Sequence, residues 1–275
     1  IPTYNRPSVL AQALASARFL GKDLEIIIGN NGDATSVNDV IANAYLEVSI
    51  EHIQNSAGST YPQNLKILVE KARGQWLTIL HDDDFFTEES GAMPEVLRTS
   101  ANVQFIFSDH WVADNAGTIL RSKSIASSEQ YGRAALEQGP IKNLQILAVN
   151  NSICFDCFFM RTDLAKLCYI DTTLKYFADI LLLFQYIAKV SNAIYISDRL
   201  FAYRISASSN TTAGLPQDEL LCVLMRSRSF VSDPEARVAL DARIRKQAWN
   251  SLKFSIKRLK LRSIRTALKC LIGFA

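Results

Sequence analysis

Short apolar runs alternate with polar turns and helical patterns through the first eighty residues, and that alternation limits the fold more than any other feature of the chain. "LEIII" (24–28) is a β-branched strand that ends in the turn-rich "GNNGD". "VSIEHI" reads as the next strand and "WLTIL" (76–80) as another. Between them, Pro7 and Ser8 open a helix carrying Leu10, Leu14 and Ala17. Ser36 is placed to cap a second helix that buries Val37, Val40, Ile41 and Ala44. A third begins near Pro62 and breaks at Arg73-Gly74. Such units require right-handed crossovers in a mostly parallel sheet. Ligands of these sheets gather beyond the carboxyl ends of the strands. The segment after Ile1, "GNNGD" and "HDDD" all stand at such ends, so three polar loops are expected to meet at one crevice.

After residue 100 the pattern changes. "VQFIF" predicts a strand, and "DNAGT" (114–118) a hairpin turn joining "HWVA" to "TILRS". Residues 124–145 carry few signals and are expected to form a mobile loop with a short helix. Apolar segments resume at "SICFDCFFM", in a helix around 176–190, and in one or two strands within "AIYISDRLFAYRIS". The chain of 275 residues, 48% hydrophobic, can bury one large domain with an extension. No apolar run reaches the roughly 18 residues of a membrane span. Ile1 lies inside the first predicted strand, so further residues are expected before it.

Cys154, Cys157, Cys168, Cys222 and Cys270 form neither a disulfide framework nor a paired zinc pattern. The C-x-x-C of "CFDCFF" has no second ligand pair, so buried thiols are the expectation, in a reducing cytoplasm. Charge is divided. From Arg237 onward 11 Lys and Arg face one acid, Asp241, a net +10 that leaves −7 on the preceding body.

Asp82, Asp83 and Asp84 repel one another at the end of an apolar run. Adjacent carboxylates suit a hard divalent cation with oxygen ligands, and Mn²⁺ or Mg²⁺ would leave positions open for phosphate oxygens. A solvated acidic turn before Thr87 and Glu88 would read the same way, so the motif alone does not decide.

Its neighbours decide. "IPTYNRP" (1–7), "NNGD" (30–33), "NSAGSTYPQN" (55–64) and "ARGQWLTILHDDD" (72–84) occur in a fixed order. Together they resemble the inverting family 2 glycosyltransferases, strongly over residues 1–110 and more weakly over 150–210. The resemblance implies an α/β GT-A fold: a mostly parallel central sheet flanked by helices, with a C-terminal helical extension. A catalytic domain is then expected over 1–212, divided near 110 into nucleotide-sugar-binding and acceptor-binding halves, and a basic helical extension over 213–275.

The resemblance also implies roles. Pro2, Tyr4, Asn5 and Arg6 would line the nucleotide pocket, Tyr4 stacking on the base and Arg6 approaching phosphate. Asn30, beside Asn31, stands where the family usually has an Asp that contacts the base, and an amide changes the donor and acceptor pattern. Asn55, Gly58 and Asn64 would shape the wall over ribose and diphosphate. The acidic motif aligns in two registers, so Asp82 and Asp84 are the expected metal ligands, with Asp83 as the alternative, and Asp82, Asp83 and Asn31 are also expected nucleotide-sugar contacts. His81 reads equally as a packed histidine or a ribose contact. Asp179, in the apolar "KYFADILLLFQY", would be the base, with Ala178 in place of the family's Glu. Arg204 would pair with Asp179 or phosphate. Ser206 replaces a frequent His, and Ser208, Ser209 and Asn210 could form a lid.

A phosphatase of the haloacid dehalogenase type would need Thr or Val where Phe86 stands, and a nucleotidyltransferase an N-terminal Gly-rich loop. A degenerate transferase fold that binds glycans or partners is the non-enzyme alternative. In the tail, Trp249, Leu252, Ile256 and Leu259 make one helical stripe, continued by Leu261, Ile264, Leu268 and Leu271 among basic residues. That pattern fits a helix on anionic lipid over residues 243–272, or one packed on the body or on a second copy. Nucleic acid is not an expected partner. The resemblance implies a nucleotide-diphosphate sugar, UDP-linked in the first place, and a saccharide or lipid-linked saccharide acceptor, in the cytoplasm or peripherally at the inner face of its membrane.

Overall fold

The computed structural model describes residues 1–44, 46–205, 216–257 and 261–273. The first sheet is wholly parallel, in the order β1 (Pro2–Thr3), β2 (Glu25–Asn30), β3 (Ser49–Gln54). Its crossovers are α1 (Pro7–Ser16) and α2 (Ala34–Ala42), and α3 (Tyr61–Lys71) follows β3. Leu10 and Leu14 of α1 pack with Ile26, Ile28 and Val37, while Leu68 of α3 meets Ile27 from the opposite face. Pro7 sits in the first turn of α1, where its missing N–H costs nothing. Thr60 and Gln63 close a capping box on α3. The cap of α2 is Asp33, not Ser36: the Asp33 carboxylate accepts from the Ser36 N–H at 2.8 Å.

The second sheet is built from β4 (Trp76–Leu77), β5 (Phe85–Phe86), β6 (Phe105–Ala113), β7 (Gly139–Pro140), β8 (Phe158–Arg161) and β9 (Ala193–Arg204). Its order is β4-β8-β6-β9-β5, with β7 also on β9. The long β6–β9 ladder is parallel, whereas β4–β8, β6–β8, β5–β9 and β7–β9 are antiparallel. Parallel pairing thus holds for the first sheet and the longest ladder of the second. "WLTIL" gives only two ladder residues.

Between the strands lie α4 (Met93–Thr99), α5 (Arg121–Gln130), α6 (Leu144–Val149), α7 (Thr162–Lys166) and α8 (Ala178–Ile187). The "DNAGT" turn forms, with Asp114 Oδ1 accepting from the Ala116 and Thr118 amides, but its second arm ends after one bridge, Ala113 to Ile119. Helix α5 starts two residues later, where a strand was expected. Residues 124–145 comprise the end of α5, a 3-10 turn at Arg133–Ala135, loop segments, β7 and the start of α6, and a buried ion cluster braces them. Asp109 accepts from Arg133 Nε at 2.7 Å and Arg199 Nε at 3.1 Å, and also from Ser128. Burial pushes the Asp109 carboxyl up, but bonds from Ser128 and Arg133 outweigh it and hold the group below its ordinary range.

Three helices complete the chain: α9 (Gln217–Ser227), α10 (Pro234–Lys257) and α11 (Leu261–Gly273). They join the largest core through Leu221 and Leu224, through Leu240, Ile244, Ala248 and Leu252, and through Ala267 and Cys270. The face of α10 on the body is therefore not the expected stripe. Leu252 is buried, but Trp249 and Ile256 are more than half exposed, as Leu268 of α11 is exposed. Leu259 lies outside the described residues. Among those described, no helix is long and apolar enough to cross a membrane.

Candidate active site

The carboxyl ends of β1 and β2 carry a wall of amides. Asn5 holds a left-handed φ of 51°, which Asn tolerates better than most side chains, and its Oδ1 accepts from the Asp33 N–H at 2.9 Å. A Cβ on Gly32 would stand 2.2 Å from that oxygen, so this approach needs glycine. Asn30 is fully buried and fully engaged, donating to the Asp33 carbonyl and Gln54 Oε1 and accepting from the Gly32 N–H. Asn31 donates to the Ser59 carbonyl and accepts from Asn55 at 2.8 Å. Asn64 donates to the Gly29 carbonyl at 2.7 Å. Gly58 lies in open space with φ 81°. Pro2 is within β1, and Tyr4 just beyond it is 62% exposed.

The acidic loop follows β4. The Thr3 hydroxyl donates to Asp82 Oδ2 at 2.7 Å, and Arg6 bridges Asp82 Oδ1 at 2.5 Å and Asp83 Oδ2 at 2.6 Å. Asp84 faces inward at 1% exposure. Its Oδ1 accepts from the Arg204 N–H at 2.7 Å, and its Oδ2 is buried without a hydrogen-bond partner. The Arg204 guanidinium does not meet Asp179. It donates to the Asp83 and Asn115 carbonyls and to Gln12, bracing the loop from behind.

Deeper in, His81 lies between Tyr61 and Asp156. Its Nε2 is 3.0 Å from the Tyr61 hydroxyl, its Nδ1 is 2.9 Å from Asp156 Oδ1, and its ring stacks on Phe155. Burial alone would lower the imidazole, but the carboxylates of Asp156, Asp179 and Asp83 outweigh it and raise the group to about 9. Asp179 stands half-buried in the first turn of α8 and accepts from the Ile180 N–H at 2.7 Å. Burial pushes its carboxyl up to about 6, with His81 opposing. Asp84 is held well above the usual carboxylate range by burial and then by Asp156 and Asp83.

His81, Asp83, Asp84 and Asp179 thus come together around Asp156, while Asp82 and Arg6 form the rim beside the amide wall. Asp82 has both oxygens occupied by Thr3 and Arg6, so Asp82 and Asp84 do not present free oxygens as a pair. A free oxygen appears instead on Asp84, whose Oδ2 has no partner, while Asp156 Oδ1 is engaged by His81, and one ligand atom each of His81, Asp84 and Asp156 lies within 4.8 Å of the others. The buried, adjacent carboxylates of Asp84 and Asp156 fit a divalent cation, whereas the His81 imidazole is engaged on both sides and would have to give up a proton to join them. Sequence reasoning passed over Tyr61 and Asp156. The signal for Asp156 was a lone acid among aromatics in "CFDCFF", read there for its cysteines. Ser206, Ser208, Ser209 and Asn210 lie outside the described residues.

Residues 1–165 match the model of the family described as glycosyl transferase family 2. No curated protein matches the chain. Among solved structures, S. aureus TarS 1–349 superposes with a TM-score of 0.68 at 14% identity over 99% of this chain and 79% of that one. The same protein in complex with UDP-GlcNAc gives 0.71 at 13% over 99% and 78%. The mannosyltransferase PcManGT from Pyrobaculum calidifontis, in complex with GDP-Man and Mn²⁺, gives 0.61 at 10% over 99% and 72%.

Proposed function

The chain belongs to glycosyltransferase family 2, and from that premise we propose that it moves a sugar from a nucleoside-diphosphate sugar, UDP-linked in the first place, to a saccharide or lipid-linked saccharide hydroxyl with inversion. The observation that carries this reading is Asp179: a half-buried carboxyl raised to about 6 beside an acid cluster in which Asp84 keeps an unpartnered oxygen.

Such a carboxyl is ionised at neutral pH yet more basic than an exposed Asp, which suits it to take the acceptor hydroxyl's proton as oxygen attacks the anomeric carbon. Tyr4, exposed at the end of β1, offers its ring to a nucleobase. Arg6, which now spans Asp82 and Asp83, would turn to a phosphate. Asp84 and Asp156 would hold Mn²⁺ or Mg²⁺, with His81 joining on loss of its proton and Asp83 on release from Arg6. Such an ion, when bound, offsets the charge gathering on the departing diphosphate. The amide wall shapes the space above the donor. Because Asn30 is fully engaged, a base contact from it requires exchange of one existing bond.

In this reading residues 1–110 bind the donor and 111–212 the acceptor. The exposed Trp249, Ile256 and Leu268, with Lys253 and Lys269 alongside, support contact with an anionic membrane surface during work on a lipid-linked acceptor in cell-surface polysaccharide assembly.

Calorimetric titration of UDP, GDP and dTDP, with and without Mn²⁺, tests the donor site. One nucleotide should bind, and only with the ion. Failure of all three in a folded sample would replace this reading with that of a glycan- or partner-binding module, to which Asn30, Ala178 and Ser206 point.

A further inference from the structure

A second group of ligating side chains lies outside the acid cluster. Cys154 and Cys157 are joined by a tight turn, the Cys157 N–H bonding the Cys154 carbonyl at 3.1 Å. His110 reaches this turn from β6, and one ligand atom each of His110, Cys154 and Cys157 lies within 4.8 Å of the others. His110 is 4% exposed, and its Nδ1 is buried without a hydrogen-bond partner. A plain pair of packed thiols explains the cysteines but leaves that nitrogen orphaned, which native interiors rarely allow.

We propose that His110, Cys154 and Cys157 bind a thiophilic divalent cation, Zn²⁺ in the first place, as a clamp between β6 and the turn that leads into β8. Zinc–sulfur and zinc–nitrogen bonds of about 2.3 and 2.0 Å put tetrahedral ligands roughly 3.5–3.8 Å apart. A contraction of at most about 1.3 Å therefore closes the site. Binding releases the two thiol protons to solvent and leaves two thiolates, a neutral imidazole and a fourth position for water. The donors separate this site from its neighbour: sulfur and imidazole select zinc, whereas the carboxylates of Asp84 and Asp156 select hard ions. The clamped turn carries Asp156, so the ion fixes a carboxylate of the acid cluster without belonging to it. The inference is independent of the transfer reaction.

The test uses the full chain, reduced and stripped of metal with a chelator, and titrated with Co²⁺. One equivalent should bind and give a sulfur-to-cobalt charge-transfer band, unchanged by excess Mg²⁺ and abolished by one equivalent of Zn²⁺. Cys154→Ser, at a half-buried position, should weaken Co²⁺ binding at least tenfold, and His110→Gln should shift the ligand-field spectrum. No band in the folded, reduced wild-type chain overturns the proposal. So does a band that survives in the Cys154→Ser/Cys157→Ser variant, which would place the ion on other thiols. A Cys154–Cys157 disulfide in a chain that gives no band after reduction overturns it as well.

Discussion

In the wall formed at the ends of β1 and β2, the amides of Asn5, Asn30, Asn31 and Asn55 are bonded to backbone or to one another. Across the crevice, Asp84 keeps a buried carboxylate oxygen with no hydrogen-bond partner, and Asp156 Oδ1 meets the His81 imidazole. Both regions are polar and both follow strands of an α/β sheet. Apart from Asn64 Oδ1, which is buried without a partner, the wall's amides are engaged, so its residues shape space and resist change. The acid cluster carries desolvated charge with too few donors, which is costly in the free protein and favourable once a cation or a proton arrives. The contrast assigns shape to one side and chemistry to the other.

The sharpest way to break that assignment is Asp179→Asn. It should cut transfer by about 10²–10⁴-fold, the usual range for a lost general base, while calorimetric nucleotide affinity stays unchanged. Unchanged transfer would remove Asp179 from the chemistry. The pH profile of kcat/KM is the next test. A base must be unprotonated to act, and Asp179 titrates at about 6, so activity should reach a plateau above that pH and fall about tenfold per unit below it. A flat profile between pH 5 and about 7 would contradict a titrating base.

Asp84→Asn should weaken Mn²⁺-dependent nucleotide binding about tenfold or more while the metal-free chain keeps its stability or gains up to about 1 kcal/mol, because the amide retains an acceptor for Arg204 and removes a buried charge. Loss of stability in urea would mean that the carboxylate is structural. On the wall the sign reverses. A Cβ on Gly29 would stand 1.9 Å from Asn64 Oδ1, so Gly29→Ala should cost about 1–3 kcal/mol in urea unfolding. Adding Asn64→Ala should recover part of that loss. Equal stabilities of the two variants would show that the wall yields.

The first sheet was legible because each strand and helix repeats its own period and ends in its own turn. The second was not, since β4 and β5 are two residues long and their partners lie far along the chain. Helix α5 escaped notice for a different reason: its buried side is Ser124 and Ser128, which leave no apolar rhythm. What orders the region is Arg133 on Asp109, a long-range ion pair that no local pattern announces. On α10, residue size misled. Trp249 and Ile256 drew attention, whereas the close contacts are made by Ala248, Ser251 and Ser255. At the site, the motifs singled out Asp83, Asp84 and Asp179, which the fold brings near one another, but Asp156 joins them only through the antiparallel return of β8.

The bond from the Arg204 N–H to Asp84 spans 120 positions, and β5, on which the acid loop leans, pairs only with β9. During synthesis, therefore, Asp82 and Asp83 emerge with Thr3 and Arg6 already made, but Asp84 emerges long before its own partner. A nascent chain that stops short of residue 193 carries the whole acidic motif but lacks the strand and the guanidinium that anchor it. The motif is written early, and the ribosome completes it late.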